Sequence, residues 1–267
     1  MSFLVAAALI LAIRTAAPDG RARAAEGVPD ADLAPVAAGG PAVGAAFVGP
    51  DLVGSVWARL VGEWRDGLAV VRREPVLRAL LVFMVITQFG EGLLGTLFVP
   101  WATDALHADA AGYGTLLSAQ AIGGVVGALA IGRLGTRADP LRLVIVGSVV
   151  FGFIDLALFT YPVVWPFIGP ALVGMVVVGL PAAAIGTGYT TLQQTRAPDS
   201  HRGRVVGAIM AASSLGSLVG AVVAGVLGEV VPVIVLLVVQ GTSYIIGGTL
   251  VARMTTATAA VRTRPAT

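Results

Sequence analysis

Two carboxylates, Glu91 and Asp155, lie inside long apolar stretches of the sequence. An ionisable side chain is costly in hydrocarbon and usually faces a cavity or a partner. Glu91 could therefore carry a proton, because alternate burial and exposure of its carboxyl would couple protonation to accessibility. Alternatively, Glu91 is a helix-end carboxylate that water reaches from the outer side. Asp155 could serve a structural pairing, extend to the outer edge, or take part in coupling.

Two glutamines are further candidates for contact with a substrate or a proton. Gln88 lies one helical turn before Glu91 on the same face, and Gln120 lies in the next apolar stretch. Either side chain could bind a polar ligand. Alternatively, either could serve only to cross-link helices by hydrogen bonds, which is the role we expect for Gln240.

Catalytic chemistry has little support in the sequence. Serines occur in the apolar stretches, but no histidine or lysine lies there to activate one. The chain has no cysteine, its two histidines fall in predicted loops, and no phosphate-binding glycine loop is present. We therefore predict no enzyme activity, no metal site and no cofactor. Nucleic acid is not an expected partner, since the net charge is only +2 and the arginines form separate clusters.

The composition is that of an integral membrane protein. Hydrophobic residues make up 57% of the chain and charged residues 12%, with a mean hydropathy of +0.90. A soluble domain of this composition could not cover its surface with polar groups. Six apolar runs are long enough to span a bilayer, and the fourth is interrupted by Pro170 and Pro181. The predicted spans are Leu77–Trp101, Thr115–Ile131, Leu143–Tyr161, Phe167–Leu192, Val205–Leu227 and Val231–Val251.

The arginines alternate between the connections of these spans. Eight arginines occur up to Arg78, at the start of the first span. The loop after the first span has no arginine and the next loop has three, and this alternation of zero and three continues through the remaining loops to the C-terminal segment, which has three. Cytoplasmic loops are enriched in basic residues, so this partition predicts a plasma-membrane protein whose linker and C-terminus are cytoplasmic. The basic loops hold the candidate residues for a cytoplasmic gate or membrane anchor, Arg133, Arg137, Arg142, Arg202 and Arg204.

The residues before the first span divide into three predicted segments. Residues 1–13 are apolar but too short to span, which favours the end of a truncated transmembrane helix. Residues 14–56 predict a flexible cytoplasmic linker. Residues 57–74 predict an amphipathic helix in the membrane interface, or alternatively a soluble helix docked on the loops. The bundle itself covers 75–253, and 254–267 form a predicted cytoplasmic tail.

Glycines recur at close spacing in three spans, at Gly123, Gly124 and Gly127, at Gly216 and Gly220, and at Gly247 and Gly248. Small residues at such spacing let helix backbones approach in lipid. Such glycines form either a face that slides during transport or a static packing contact.

Three sequence features resemble the C-terminal half of a major facilitator superfamily transporter. They are the basic lead-in VVRREPVLRALL, the triplet Gly112–Gly114 that opens a glycine-rich span, and RGRVVG at Arg202–Gly207. Within this superfamily, the chain is most similar to the transmembrane secretion effector branch, which includes siderophore and macrolide exporters. The family's loop signature is only partly present, because Thr136 stands where an acidic residue belongs if Gly132 takes the first place.

The resemblance implies an all-α parent of twelve helices, of which this chain supplies the last six. It implies an efflux-type secondary transporter for a small amphipathic or apolar molecule, coupled to protons. Alternating access needs two halves around one site, so the expected partners include the missing N-terminal half, a second chain or a homodimer. The alternative is a non-transporting remnant, or a membrane scaffold that binds another transporter half through its glycine faces.

Overall fold

Helices dominate the part of the chain that the computed structural model describes, which is residues 50–134 and 138–262, with side chains placed for 61–133 and 138–256. This part contains no strand. The fragment 1–13, residues 14–49 of the predicted linker, Arg137 and residues 263–267 lie outside the described residues. The long helices are α1 Pro50–Arg73, α2 Pro75–Pro100, α3 Ala110–Leu134, α4 Pro140–Thr160, α5 Ile168–Arg196, α6 Arg202–Leu227 and α7 Val233–Arg262.

Six of these helices, α2 to α7, are long and apolar enough to cross a membrane, judged by length and composition over the described residues. Their most apolar windows have mean hydropathies of 1.6 to 2.3. Each corresponds to one predicted span, so the predicted all-α polytopic fold with six transmembrane helices is confirmed.

Two helix ends on the arginine-free side differ from the predicted spans. α2 continues beyond Pro100 as a π-helical turn, so that this membrane-length segment runs Pro75–Ala105. α3 begins at Ala110 and not at Thr115, because the Asp109 carboxylate accepts a hydrogen bond from the amide of Gly112 at 2.8 Å. That bond satisfies one of the amides left free at a helix start.

The predicted break of the fourth span at its two prolines is wrong, because α5 is continuous over Ile168–Arg196. Pro170 falls in the first turn, where its missing amide hydrogen would have no helical partner. Pro181 lies in the interior and is buried. Neighbouring helices and local adjustment make such a proline tolerable in a transmembrane bundle.

The six membrane-length helices pack in the order α3–α5–α4–α7–α2–α6, each against the next, and α2 also contacts α5. Two apolar clusters fill the bundle. One surrounds Trp101 and Phe159, and the other surrounds Phe83 and Val144 near the arginine-bearing ends. Glu91 lies between these clusters along α2, in the middle of its span.

Glycines bring helix backbones into direct contact in this packing. A β-carbon on Gly220 of α6 would meet the carbonyl oxygen of Phe89 on α2, and one on Gly127 of α3 would meet that of Gly179 on α5. Gly124, by contrast, has open space around it. Because Gly127 and Gly220 lie at contacts between helix backbones inside the bundle, the geometry favours the interpretation of static packing for these two glycines.

We expect Gly220→Ala to lower the apparent thermal midpoint of the purified protein, because the added methyl group meets backbone that cannot give way. Overpacking of this kind costs about 1–3 kcal/mol. The matched control is Gly225→Ala on the same helix, where a β-carbon meets nothing within 4 Å. The control should be neutral or slightly stabilising, since alanine is the better helix former. Equal midpoints for the two variants would contradict the close contact at Gly220.

α1 begins at Pro50, seven positions before the start of the predicted amphipathic helix. Proline is favoured in the first turn of a helix because its fixed φ angle suits that position. The helix packs against α6 and α2, where Val71 is fully buried and the Trp64 indole Nε1 donates to the carbonyl oxygen of Ala208 at 3.3 Å. Its position in the membrane interface stays a prediction, and so does the docked alternative.

Candidate functional site

Polar side chains from three helices meet near the middle of the bundle. The hydroxyl of Tyr244 on α7 donates to Glu91 Oε1 on α2 at 2.7 Å. One turn away on α7, Gln240 donates from Nε2 to Asp155 Oδ2 on α4 at 2.8 Å. The two carboxylates are thus joined through side chains of a single helix.

Close helix contacts make these short reaches possible. Gly90 and Gly92 flank Glu91 on α2, and a β-carbon on Gly90 would meet α7 at Ser243, while one on Gly92 would meet the α6 carbonyl oxygen of Ser217. Gly152 of α4 approaches the backbone of α7 in the same way. With no side chain between the backbones, α7 lies near enough to both α2 and α4 for Tyr244 to reach Glu91 and for Gln240 to reach Asp155.

Both carboxylates line a cavity of about 250 Å³. Asp155 is 3% exposed, whereas Glu91 is partly buried. Besides the acids and Gln120, the lining is apolar and aromatic and comes from α2, α3, α4 and α5. The remaining lining residues are Leu94, Gly95, Phe98, Tyr113, Leu117, Phe151, Leu158, Phe159, Met175 and Val178.

The cavity has an excess of negative charge and of hydrogen-bond acceptors. No arginine, lysine or histidine is among its lining residues. Ionised carboxylates accept hydrogen bonds and donate none. The Gln240 amide oxygen Oε1 has no hydrogen-bond partner among the described residues, although its side chain is 0% exposed. Two buried carboxylates in a medium of low dielectric need compensation by a proton or by a cation.

Three of the four candidate residues for substrate or coupling come together here. Glu91 and Asp155 line the cavity directly, and Gln120 lies at its exposed rim. Gln88 is not among the lining residues. Sequence reasoning treated Gln240 only as a helix cross-link and did not single out Tyr244. Tyr244 could have been found as a tyrosine in the middle of a span, where its hydroxyl needs a partner.

Arg202 and Arg204 lie away from the cavity, at the start of α6. The Arg202 guanidinium contacts Asp199 at 2.6 Å and donates to the carbonyl oxygen of Gln194 at 3.0 Å, in the last turn of α5. Arg204 lies 3.6 Å from Asp66 of α1. Arg202 thus ties the loop to a helix C-terminus, where a cation is favoured, and Arg204 ties α1 to α6.

The other basic loop places two of its candidate arginines on the surface. Arg133 is exposed at the end of α3, and Arg142 lies 3.7 Å from Asp139 at the start of α4. Asp139 also caps α4 by accepting from the amide of Leu141 at 2.9 Å. Exposed ion pairs of this kind contribute little to stability, so an electrostatic role towards lipid headgroups or a gate stays a prediction for this loop.

The model of a protein family described as Major Facilitator Superfamily matches residues 79–267. The match covers all six membrane-length helices except the first turn of α2. No curated protein matches the chain.

Proposed function

Because the chain belongs to the major facilitator superfamily, we propose that it acts as a proton-coupled secondary transporter that exports a small amphipathic molecule. Members of this superfamily are transporters and not enzymes, and the chain is a multi-pass protein of the lipid bilayer. Membership of the superfamily alone implies neither export nor proton coupling. Export is favoured by the resemblance of its motifs to secretion effectors.

The observation that carries proton coupling is the pair of carboxylates on the cavity wall. Glu91 lies at the middle of its span, and no basic side chain lines the cavity to neutralise it. A carboxyl in this position must bind a proton when the cavity is dry and can release it when water enters. Glu91 is partly buried and hydrogen-bonded to Tyr244, so a change in cavity hydration would reach it first.

The rim of the cavity supports the proposal that a second six-helix unit is needed. Gly95, Leu117 and Gln120 belong to the lining and are exposed on the outside of the bundle. In an isolated unit they would face lipid, where an amide side chain such as that of Gln120 is unfavourable. The other unit could be upstream residues of the same chain, another chain or a second copy. Alternating access would then follow from rocking of the two units around the shared site.

The orientation in the membrane stays part of this proposal. The arginine-bearing ends of the helices, with α1 and the C-terminal end of α7, would face the cytoplasm of a plasma membrane. The cavity lies nearer to the opposite side, because Asp155 is close to the end of α4 that carries no arginine.

Uptake by inverted membrane vesicles tests the function with any partner unit retained. Vesicles from producing cells are energised to make the lumen acidic and are given three fluorescent amphipathic probes of different charge. The probes are ethidium, N-phenyl-1-naphthylamine and anilinonaphthalene sulfonate. We expect uptake of at least one probe above that of control vesicles without the protein, and its loss when nigericin collapses the pH gradient. Equal traces for all three probes in both vesicle preparations would contradict the proposal.

A further inference from the structure

The cavity offers acceptor groups and π faces, with few groups that would attract an anion. Its two carboxylates can both accept hydrogen bonds from a ligand. A ligand that brings positive charge and N–H groups would satisfy these acceptors together.

Aromatic rings surround the acids on several sides. Phe98 stacks with Trp101 and lies 5.6 Å from the ring of Tyr113, and Phe159 meets Trp101 edge to face at 5.0 Å. On the other side, Phe151 lies 4.2 Å from the ring of Tyr244. The face of an aromatic ring is negative and attracts a cation placed within about 6 Å of its centre.

From these features we infer that the cavity binds an organic monocation, a protonated amine with an aromatic body, between Glu91 and Asp155. The ammonium group donates to the carboxylates, while the aromatic body packs against Phe98, Phe151 and Phe159. This inference rests on the proposed transport function, of which it names the substrate class. The volume of about 250 Å³ in this unit has room for a two-ring amine.

An anionic ligand is disfavoured by the same geometry. A carboxylate or sulfonate in this cavity would face two acids with no cation to pair with, and like charges in contact repel each other. A neutral apolar ligand would fill the volume but would donate no hydrogen bond to the two acids. A site built around polar groups discriminates against a ligand that cannot pair with them.

Three probes with one biphenyl body separate these possibilities by binding to the purified protein in nanodiscs. The cation is 4-phenylbenzylammonium, its neutral isostere is 4-ethylbiphenyl, and the anion is 4-phenylbenzoate. We expect the cation to bind at least about tenfold more tightly than the isostere, as a desolvated cation with carboxylate and aromatic contacts should. Binding of the cation should also release protons, detected by a pH indicator in weak buffer, because it displaces the proton that compensates the acids. Equal affinity for cation and isostere would overturn the inference.

Variants then locate the bound cation. Glu91→Gln and Asp155→Asn should each weaken binding of 4-phenylbenzylammonium about tenfold or more, whereas Glu229→Gln, which removes an exposed carboxylate outside the cavity, should not change it. Full affinity in both cavity variants would place the cation elsewhere and overturn the inference. If a cavity variant does not fold, the comparison of cation and isostere on the wild type decides alone.

The binding assay and the vesicle assay can fail independently. Uptake of the neutral or anionic probe by vesicles, without preferential binding of the cation, would retain the transport function and reject the substrate class. Cation binding that depends on Glu91 and Asp155, without uptake of any probe, would retain the site and reject the transport function.

Discussion

Replacing Glu91 by glutamine should abolish the uptake driven by the pH gradient in inverted vesicles. An amide of nearly the same shape cannot take up or release a proton under these conditions, so the driving force no longer reaches the substrate. We expect the driven rate to fall by roughly 100-fold or more, which is the low end of what a positioned proton donor and acceptor contributes. The measurement is initial uptake of the transported probe with the lumen acidic.

Downhill movement of the same probe provides the internal control. Glu91→Gln keeps an acceptor for the Tyr244 hydroxyl, which donates to Glu91 in the wild type, and it should therefore still equilibrate the probe between the two sides if the bundle is intact. Glu229→Gln, changed at an exposed site, should retain driven uptake. Driven uptake at the wild-type rate in Glu91→Gln would remove this residue from the coupling mechanism.

Replacing Gln240 by leucine should strongly destabilise the bundle. The Asp155 carboxyl, 3% exposed, would lose its hydrogen-bond donor. Leaving a buried polar group unpaired costs about 1–3 kcal/mol, and more for a charged group. For a protein of this size we expect a fall of about 3–10 °C in the apparent thermal midpoint, measured on the purified protein in detergent.

Two comparisons keep this prediction specific. Gln120→Leu makes the same exchange at an exposed position, where the glutamine has no hydrogen bond to the described residues. This variant should change the free energy of unfolding by less than about 0.5 kcal/mol. Adding Asp155→Leu to Gln240→Leu should recover part of the lost stability, because an apolar pair leaves no acid unpaired. A double variant less stable than Gln240→Leu would show that the cost arises from packing.

The sequence predicted the bundle because the bilayer imposes two simple constraints. A span needs a long apolar run, and arginine is confined to one side, so six helices could be placed without knowing how they pack. The same reasoning found Glu91 and Asp155, since an acid within such a run stands out. The predicted break at Pro181 was wrong, because the low helix propensity of proline describes only the local chain. In the bundle, the neighbouring helices make the loss of one backbone hydrogen bond tolerable.

The arrangement of the site could not be predicted, because it depends on which helices are neighbours. Tyr244 is 153 positions from Glu91, and Gln240 is 85 from Asp155. Only the order of helices in the bundle brings them together. Asp155 illustrates this limit of sequence-based prediction. It lies inside the bundle, beside Gln240 and the cavity, because α4 contacts α7, and the sequence of α4 alone does not indicate that contact.

The two glycines that flank Glu91 have a consequence for how this carboxylate can travel. Gly90 abuts α7 and Gly92 abuts α6, so α2 is held at this level between two neighbours with no layer of flexible side chains to absorb a shift. A displacement of α2 alone would force atoms together on one side. Glu91 must therefore change its surroundings together with α6 and α7, and with α4, whose Gly152 meets the α7 backbone in the same way.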